Sequence, residues 1–284
     1  MIVSASRRTD IPCFYGDWFL RRLQEGFACT RNPMNAKQIR RVSLSNADVD
    51  AFVFWTKDAK PFFPVLDELD KRGFLYIFQF TLTPYGHDLE RNLRDKDVIA
   101  NGFLTLGKRI GRERLLWRYD PIVLNETQTI SSHKQSFARL CEKLHTATNT
   151  VYISFVDNYA KLRSNLLRPV TAEEQCELAD VFVQTARRFG LSVHACCEAN
   201  DFTRFGVQPA ACIDKTRLER LLGRTLNAKP DRNQRKGCNC TASVDIGAYD
   251  TCRNGCVYCY ACHSDTAVAR RSARHNAESP FLID

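Results

Sequence analysis

Short apolar, β-branched or aromatic runs alternate along the chain with segments whose apolar positions recur at helical spacing. Ile2–Ala5 reads as a strand, and Tyr15–Gln24 as a helix with Trp18, Phe19 and Leu23 on one side. Asn32–Asn35 (NPMN) reads as a turn. Ala51–Trp55 is a second strand; the helix after it, Pro61–Lys71, opens on proline and stops at Gly73. Leu75–Leu82 is a third strand, Asp95–Ile110 a helix ending at Gly111, and Arg114–Tyr119 a fourth strand. Ser131 or Ser132 is placed to cap a helix whose Phe137, Leu140, Cys141 and Leu144 form an apolar stripe. Val151–Val156 is a fifth strand. Thr171–Arg188 is a helix opened by a capping box of Thr171 with Glu174. Leu191–Cys196 is a sixth strand, and Lys215–Leu222 a shorter helix.

Strands alternating with helices across short linkers predict a parallel sheet covered by helices. Six such units predict an α/β fold of the (β/α) TIM-like barrel or partial six-stranded barrel kind, with a doubly wound open sheet as the alternative. Asn227–Gly237 is polar, basic and rich in turn formers, so it reads as a linker. The expected organisation is a barrel-like domain over 1–226 and a linker with a cysteine-rich segment over 227–284, packed on the barrel mouth.

Composition narrows the class. Apolar residues make up 44% of 284, enough for a full core. No apolar run approaches the ~20 residues that span a membrane, and the N-terminus lacks a signal-peptide profile. A cytoplasmic location is the expectation. There, 13 cysteines point to metal or redox chemistry rather than a disulfide framework. A formal charge of +9 admits an anionic partner, either nucleic acid or a small anionic molecule.

Parallel βα folds carry their chemistry at the C-terminal strand ends. Those ends hold Arg7, Arg8, Thr9 and Asp10; Thr56, Lys57 and Asp58; Gln79, Thr81 and Tyr85; Trp117, Arg118, Tyr119 and Asp120; Ser154, Asp157, Asn158 and Tyr159; and Cys196, Cys197, Glu198 and Asn200. This concentration predicts a polar pocket. Arg7, Asp10, Lys57, Arg118, Asp120 and Glu198 are its candidate catalytic groups. A plainer reading makes Arg7, Arg8 and Asp10 a capping ion pair, Trp55 and Trp117 packing residues, and Cys13, Cys29, Cys141, Cys176 and Cys212 structural. A metal-free hydrolase built on Asp10, Asp120 or Glu198 leaves the cysteines below unexplained.

Six cysteines fall between Cys238 and Cys262, and Cys252, Cys256 and Cys259 are spaced C-x3-C-x2-C with Tyr258 before the last. Short fixed spacings with a glycine between ligands let one loop bring several thiolates to one point, as an iron–sulfur cluster requires. Three thiolates leave one iron of a cubane open. Cys238, Cys240 and Cys262 are candidates for a further ligand, which would close the cluster and make it structural, nucleic-acid-associated or electron-carrying. Zinc is the rival metal. The run Cys252-Arg-Asn-Gly-Cys256-Val-Tyr-Cys259-Tyr-Ala resembles the radical S-adenosylmethionine (SAM) signature, and its ending is similar to that of the spore photoproduct lyases. Through SRRTDIP, VFWTK, WRYDPI, SFVDNY and DIGAYDTC the whole chain resembles the bacterial DUF1848 family, whose function is undefined. The motif stands near the C-terminus, whereas radical SAM enzymes carry it near the N-terminus, and WTKD replaces their GGE after the second strand.

The resemblance implies a 4Fe–4S cluster on Cys252, Cys256 and Cys259, SAM as cosubstrate, and reductive SAM cleavage to a 5′-deoxyadenosyl radical. It also implies an electron donor such as flavodoxin or ferredoxin. For SAM, Arg118 or Lys57 is expected to pair with the carboxylate. Glu198 or Asp157 is expected to take the amino group or ribose, and Trp117 or Tyr119 to stack on adenine.

Overall fold

The computed structural model of the chain describes residues 1–156, 167–235 and 237–284. In chain order its elements are β1 (Ile2–Ala5), α1 (Ile11–Phe14), α2 (Gly16–Glu25), β2 (Phe27–Asn32), β3 (Asn35–Ser43), β4 (Ala51–Thr56), α3 (Phe63–Lys71), β5 (Tyr76–Thr81), α4 (Lys96–Ile110), β6 (Leu115–Ile122), α5 (Ile130–Leu144), β7 (Thr150–Phe155), α6 (Ala172–Arg188), β8 (Ser192–Ala195), β9 (Gln208–Pro209), α7 (Lys215–Leu222), β10 (Val244–Asp245) and α8 (Asp265–Ser272). Eight strands form one parallel sheet in the order β10–β1–β4–β5–β6–β7–β8–β9.

The order follows the chain except that β10 returns to pair with β1, Val3 opposite Val244. Right-handed crossovers between strands added always on the same side send every helix to one face. That is how α2 to α6 lie here: Phe19, Leu66, Phe103, Phe137 and Phe182 share one core with Val3, Phe54, Phe78, Trp117 and Ile153 of the strands. The other face buries Ile2, Val53, Ile77, Leu116 and Tyr152 against Ile213, Leu218 of α7 and Leu226. The five helices α2 to α6 thus share one face of the sheet.

The expected TIM-like or partial six-stranded barrel is met as an α/β fold with a parallel sheet, and its strand count differs. The sheet has eight strands, because β9 and β10 are two-residue edge strands with no apolar run to betray them. Among the described residues these two edges are not paired with each other. A backbone hydrogen bond, Thr241 N–H to the Ile213 carbonyl at 2.9 Å, joins the segments beside them. Residues 227–284 also belong to the sheet and the core, through β10, Ile246, Leu282 and Ile283.

A second sheet, the antiparallel hairpin β2–β3, has Pro33 and Met34 at its tip, where NPMN predicts a turn. Its strands escape the apolar pattern because the first seven residues of β3 are exposed. The α5 cap is Thr129, not Ser131 or Ser132. It exchanges hydrogen bonds with Ser132, one turn earlier than the apolar stripe suggests. The Thr171–Glu174 capping box of α6 forms as expected.

Gly107 on α4 faces Ala147, where an added Cβ would lie 2.4 Å from the Ala147 Cβ and 2.8 Å from its carbonyl oxygen. Both neighbours are short and one is backbone, so the helix itself must shift. Gly107→Ala is expected to destabilise the fold by about 1–3 kcal/mol despite its better helix propensity, read as a lower urea midpoint. A stabilised variant would mean that α4 moves freely on the sheet.

Candidate functional site

Successive side chains on a strand point to opposite faces, and this parity sorts the strand ends. On the face away from the large helices the buried apolar positions come first. Ile2 gives way to Ser4 and Ser6, Val53 to Trp55 and Lys57, Ile77 to Gln79, Leu116 to Arg118 and Asp120, and Tyr152 to Ser154. Polar groups therefore gather at the C-terminal ends of that face. Trp117 and Tyr119 have the other parity, so neither is a stacking platform there. Trp117 is fully buried, stacks on Phe137 and donates from Nε1 to the Leu82 carbonyl at 2.9 Å. The Tyr119 hydroxyl meets His133 Nδ1 at 2.7 Å. The ring facing the polar groups is Trp55, flanked by the guanidinium groups of Arg7 at 5.5 Å and Arg118 at 5.2 Å.

The cysteine loop is anchored over the ends of β1, β4 and β5. Asp10 accepts from the backbone N–H groups of Lys57 (2.8 Å) and Cys13 (3.0 Å) and from Asn254 Nδ2 (3.0 Å). Burial pushes its carboxyl up to about 6 against those bonds. Glu90, 1% exposed, takes Lys57 Nζ at 2.7 Å and Thr83 Oγ1 at 2.8 Å, and also binds Lys96 and the Tyr258 hydroxyl. Burial opposes its charge, but the two lysines hold it at about 2. The backbone completes the docking: Val257 N–H donates to the Leu89 carbonyl at 3.0 Å and Asn92 N–H to that of Asn254 at 3.1 Å. Gly255, at φ 67°, makes the turn, and a Cβ there would meet Asn92 Nδ2 at 2.8 Å. Asp245 ties down the other side, accepting from Ser4, Ser6, Arg7 N–H and Gly247 N–H.

Within the loop, Cys259 raises the cost of ionising Cys252 and Cys256, and Cys256 adds to that of Cys252. Burial is the larger cause for two of them. It pushes Cys256 up to about 12 against the nearby Lys57 charge, and it lifts Cys252 well above the usual thiol range. Cys259 is held down at about 7 by a hydrogen bond from Cys262, whose thiol also reaches the Cys252 carbonyl at 3.6 Å.

A second group of thiols lies elsewhere. The sulfurs of Cys196, Cys238 and Cys240 are all within 4.8 Å of one another and could hold a metal ion. Among the described residues no other three His, Cys, Asp or Glu ligand atoms converge so tightly, those of Cys252, Cys256 and Cys259 included. Cys238 and Cys240, expected as further ligands for the Cys252 loop, thus lie with Cys196. Cys212, read as structural, packs against the same cluster, outside the 4.8 Å triad. Sequence spacing missed this group because its members come from three separate segments.

The remaining expected residues divide. Arg118 spends its donors on Asp120 (3.0 Å), Gln79 (3.2 Å) and the Cys212 sulfur (3.3 Å). Glu198 is half-buried in the loop after β8. Asp157 lies outside the described residues. Among the described residues, four buried polar atoms near the loop have no hydrogen-bond partner: Arg7 Nη2, Thr9 Oγ1, Trp55 Nε1 and Asn254 Oδ1.

The model of a domain of unknown function, DUF1848, matches residues 2–261. No curated protein matches the chain. Among solved structures, one assigned as an α-L-fucosidase from Bacteroides thetaiotaomicron aligns over 62% of this chain and 74% of its own, with 9% identity and a TM-score of 0.28. The carboxyl transferase domain of Rhizobium etli pyruvate carboxylase aligns over 78% of this chain and 30% of its own, with 13% identity and a TM-score of 0.31. No helix is long and apolar enough to cross a membrane among the described residues.

Two predictions follow from the anchors. Glu90→Ala strands two lysines and is expected to cost about 3–5 kcal/mol, measured by denaturant unfolding; a loss under ~1 kcal/mol would show the network to be solvated. Asp10, raised from 3.8 to about 6, adds stability below its unfolded value that is lost as pH rises through the folded one. Between pH 4 and 7 the stability difference should move in favour of Asp10→Asn by up to about 3 kcal/mol, at ~1.4 kcal/mol per pKa unit. A difference independent of pH would show that Asp10 titrates normally.

Proposed function

The chain belongs to the DUF1848 family, and from the docked cysteine loop we propose that it is an iron–sulfur enzyme of the radical SAM type. The observation that carries this reading is the coincidence of three half-buried thiols with unpartnered polar atoms at the same strand ends. A buried donor or acceptor left without a partner costs about 1–3 kcal/mol. Arg7 Nη2, Trp55 Nε1, Thr9 Oγ1 and Asn254 Oδ1 lie on the elements that Asp10, Lys57 and the loop bring together. A purely structural metal knuckle has no use for them. They fit a polar ligand bound beside the thiols.

Cys252, Cys256 and Cys259 would hold a 4Fe–4S cluster, and three thiolates would leave one iron for SAM. The cluster would supply one low-potential electron to cleave a carbon–sulfur bond of SAM, producing the carbon radical that takes hydrogen from substrate. The rest falls to the protein. Lys57, charged beside Cys256, offsets the thiolate's burial. Arg7, with a free guanidinium nitrogen, is better placed than Arg118 to pair with a carboxylate. The Trp55 face offers a platform for an adenine. Glu90 and Tyr258 hold the loop down, and Asn254 ties it to Asp10. The electron comes from outside the chain, from a flavodoxin- or ferredoxin-type donor, and the net charge suits a nucleic acid or small anionic substrate.

Anaerobic reconstitution followed by EPR of the reduced protein tests this. A cubane signal that changes shape with SAM and is lost in Cys256→Ala is expected. A signal indifferent to SAM would point to a fourth protein ligand, for which Cys262 is the nearest thiol, and would leave an electron-carrying or structural cluster.

A further inference from the structure

We propose that Cys196, Cys212, Cys238 and Cys240 bind a single tetrahedral zinc ion that staples the two free edges of the parallel sheet. The site is separate from the Cys252 loop and stands or falls without it. Its position in the topology is the first argument. Cys196 directly follows β8, Cys212 follows β9, and Cys238 and Cys240 precede β10. β8–β9 and β10 lie at opposite ends of the strand order. The thiols therefore bring together edges that the strands leave unpaired.

Distance is the second argument. A zinc ion about 2.3 Å from each of four thiolates sets them about 3.8 Å apart at the corners of a tetrahedron. The sulfurs of Cys196, Cys238 and Cys240 all lie within 4.8 Å of one another, and Cys212, outside that triad, packs against the same cluster as the fourth thiol. Thiolates on a cubane each bind a different iron and stand further apart. Four thiols converging from three segments also exceed what packing explains, since a free cysteine in a core behaves as a small hydrophobe and needs no thiol neighbour.

The surroundings suit an ion with four anionic ligands. Arg118 Nη1 donates to the Cys212 sulfur at 3.3 Å, and the Arg7 charge acts on Cys240. Arg118 is held in turn by Asp120 and Gln79, and the Gln79 amide donates to the Cys212 carbonyl at 2.6 Å. Such outer contacts orient the ligands and offset their charge. Two-residue edge strands and the Thr241–Ile213 backbone bond are a weak seam for an eight-stranded sheet. A metal across it replaces missing ladder hydrogen bonds with coordination.

The test is metal analysis and zinc-edge X-ray absorption on the full chain purified anaerobically. The expected result is stoichiometric zinc with four sulfur neighbours at about 2.3 Å. The zinc persists in Cys252→Ser/Cys256→Ser/Cys259→Ser, and affinity falls at least ~10-fold in Cys212→Ser. Should the substituted chains fail to fold, cobalt(II) exchanged into the native protein gives a second readout, with sulfur-to-cobalt charge-transfer bands expected. Iron with acid-labile sulfide retained in the triple variant would overturn the proposal in favour of a second cluster. No stoichiometric metal in that variant, or no thiolate–cobalt bands, would reduce the group to packed thiols.

Discussion

The buried carboxylate of Glu90 is the contact on which the candidate site depends. It leaves the loop after β5 and meets Lys57 from the end of β4, Lys96 from the start of α4 and Tyr258 from the middle of the cysteine loop. A charge this deep is tolerable only because both lysines answer it. The same demand for partners fixes where the loop sits, since Tyr258 cannot reach Glu90 unless Cys256 and Cys259 flank the strand ends. Charge satisfaction docks the cysteine segment together with the apolar cluster of Tyr258 with Tyr85, Leu89 and Val123.

Parity along the strands explains how one sheet serves both a core and a site. Toward the helices the strands stay apolar to their ends, through Phe54, Phe80, Trp117 and Phe155. On the other face they begin apolar and finish polar. The gradient puts Trp55, Gln79 and Arg118 on neighbouring strands, and cation–π contacts bind Trp55 between two arginines. Such pairing keeps guanidinium groups ordered where water is scarce.

Much of this was legible in the chain. Strand–helix alternation marked β1, β4, β5, β6, β7 and β8, because each strand buried between layers is an apolar run. The C-x3-C-x2-C spacing marked the loop, because neighbouring ligands on one turn leave a local signature. Three things were hidden for a common reason: they depend on which distant segments meet. Trp117 and Trp55 look alike as strand-end tryptophans until parity is counted against Leu115 and Val53. β9 and β10 are too short to carry a pattern. Cys196 and Cys212 had no spacing to link them with Cys238 and Cys240, although the C-x-C pair was visible.

The two cysteine groups differ in ways that bear on what each can do. In the Cys252 loop the three thiols come from one short segment, which Glu90 and Asp10 hold at the strand ends through Tyr258 and Asn254. In the Cys196 group the ligands come from segments far apart in sequence, so bringing them together closes long loops. Each such closure costs entropy that grows slowly with length, and a multidentate ion recovers it in one step. The first arrangement is a local one, set by a single turn of chain. The second suits a fastener, and Arg118, which touches both the Trp55 ring and the Cys212 sulfur, links that seam to the polar strand ends.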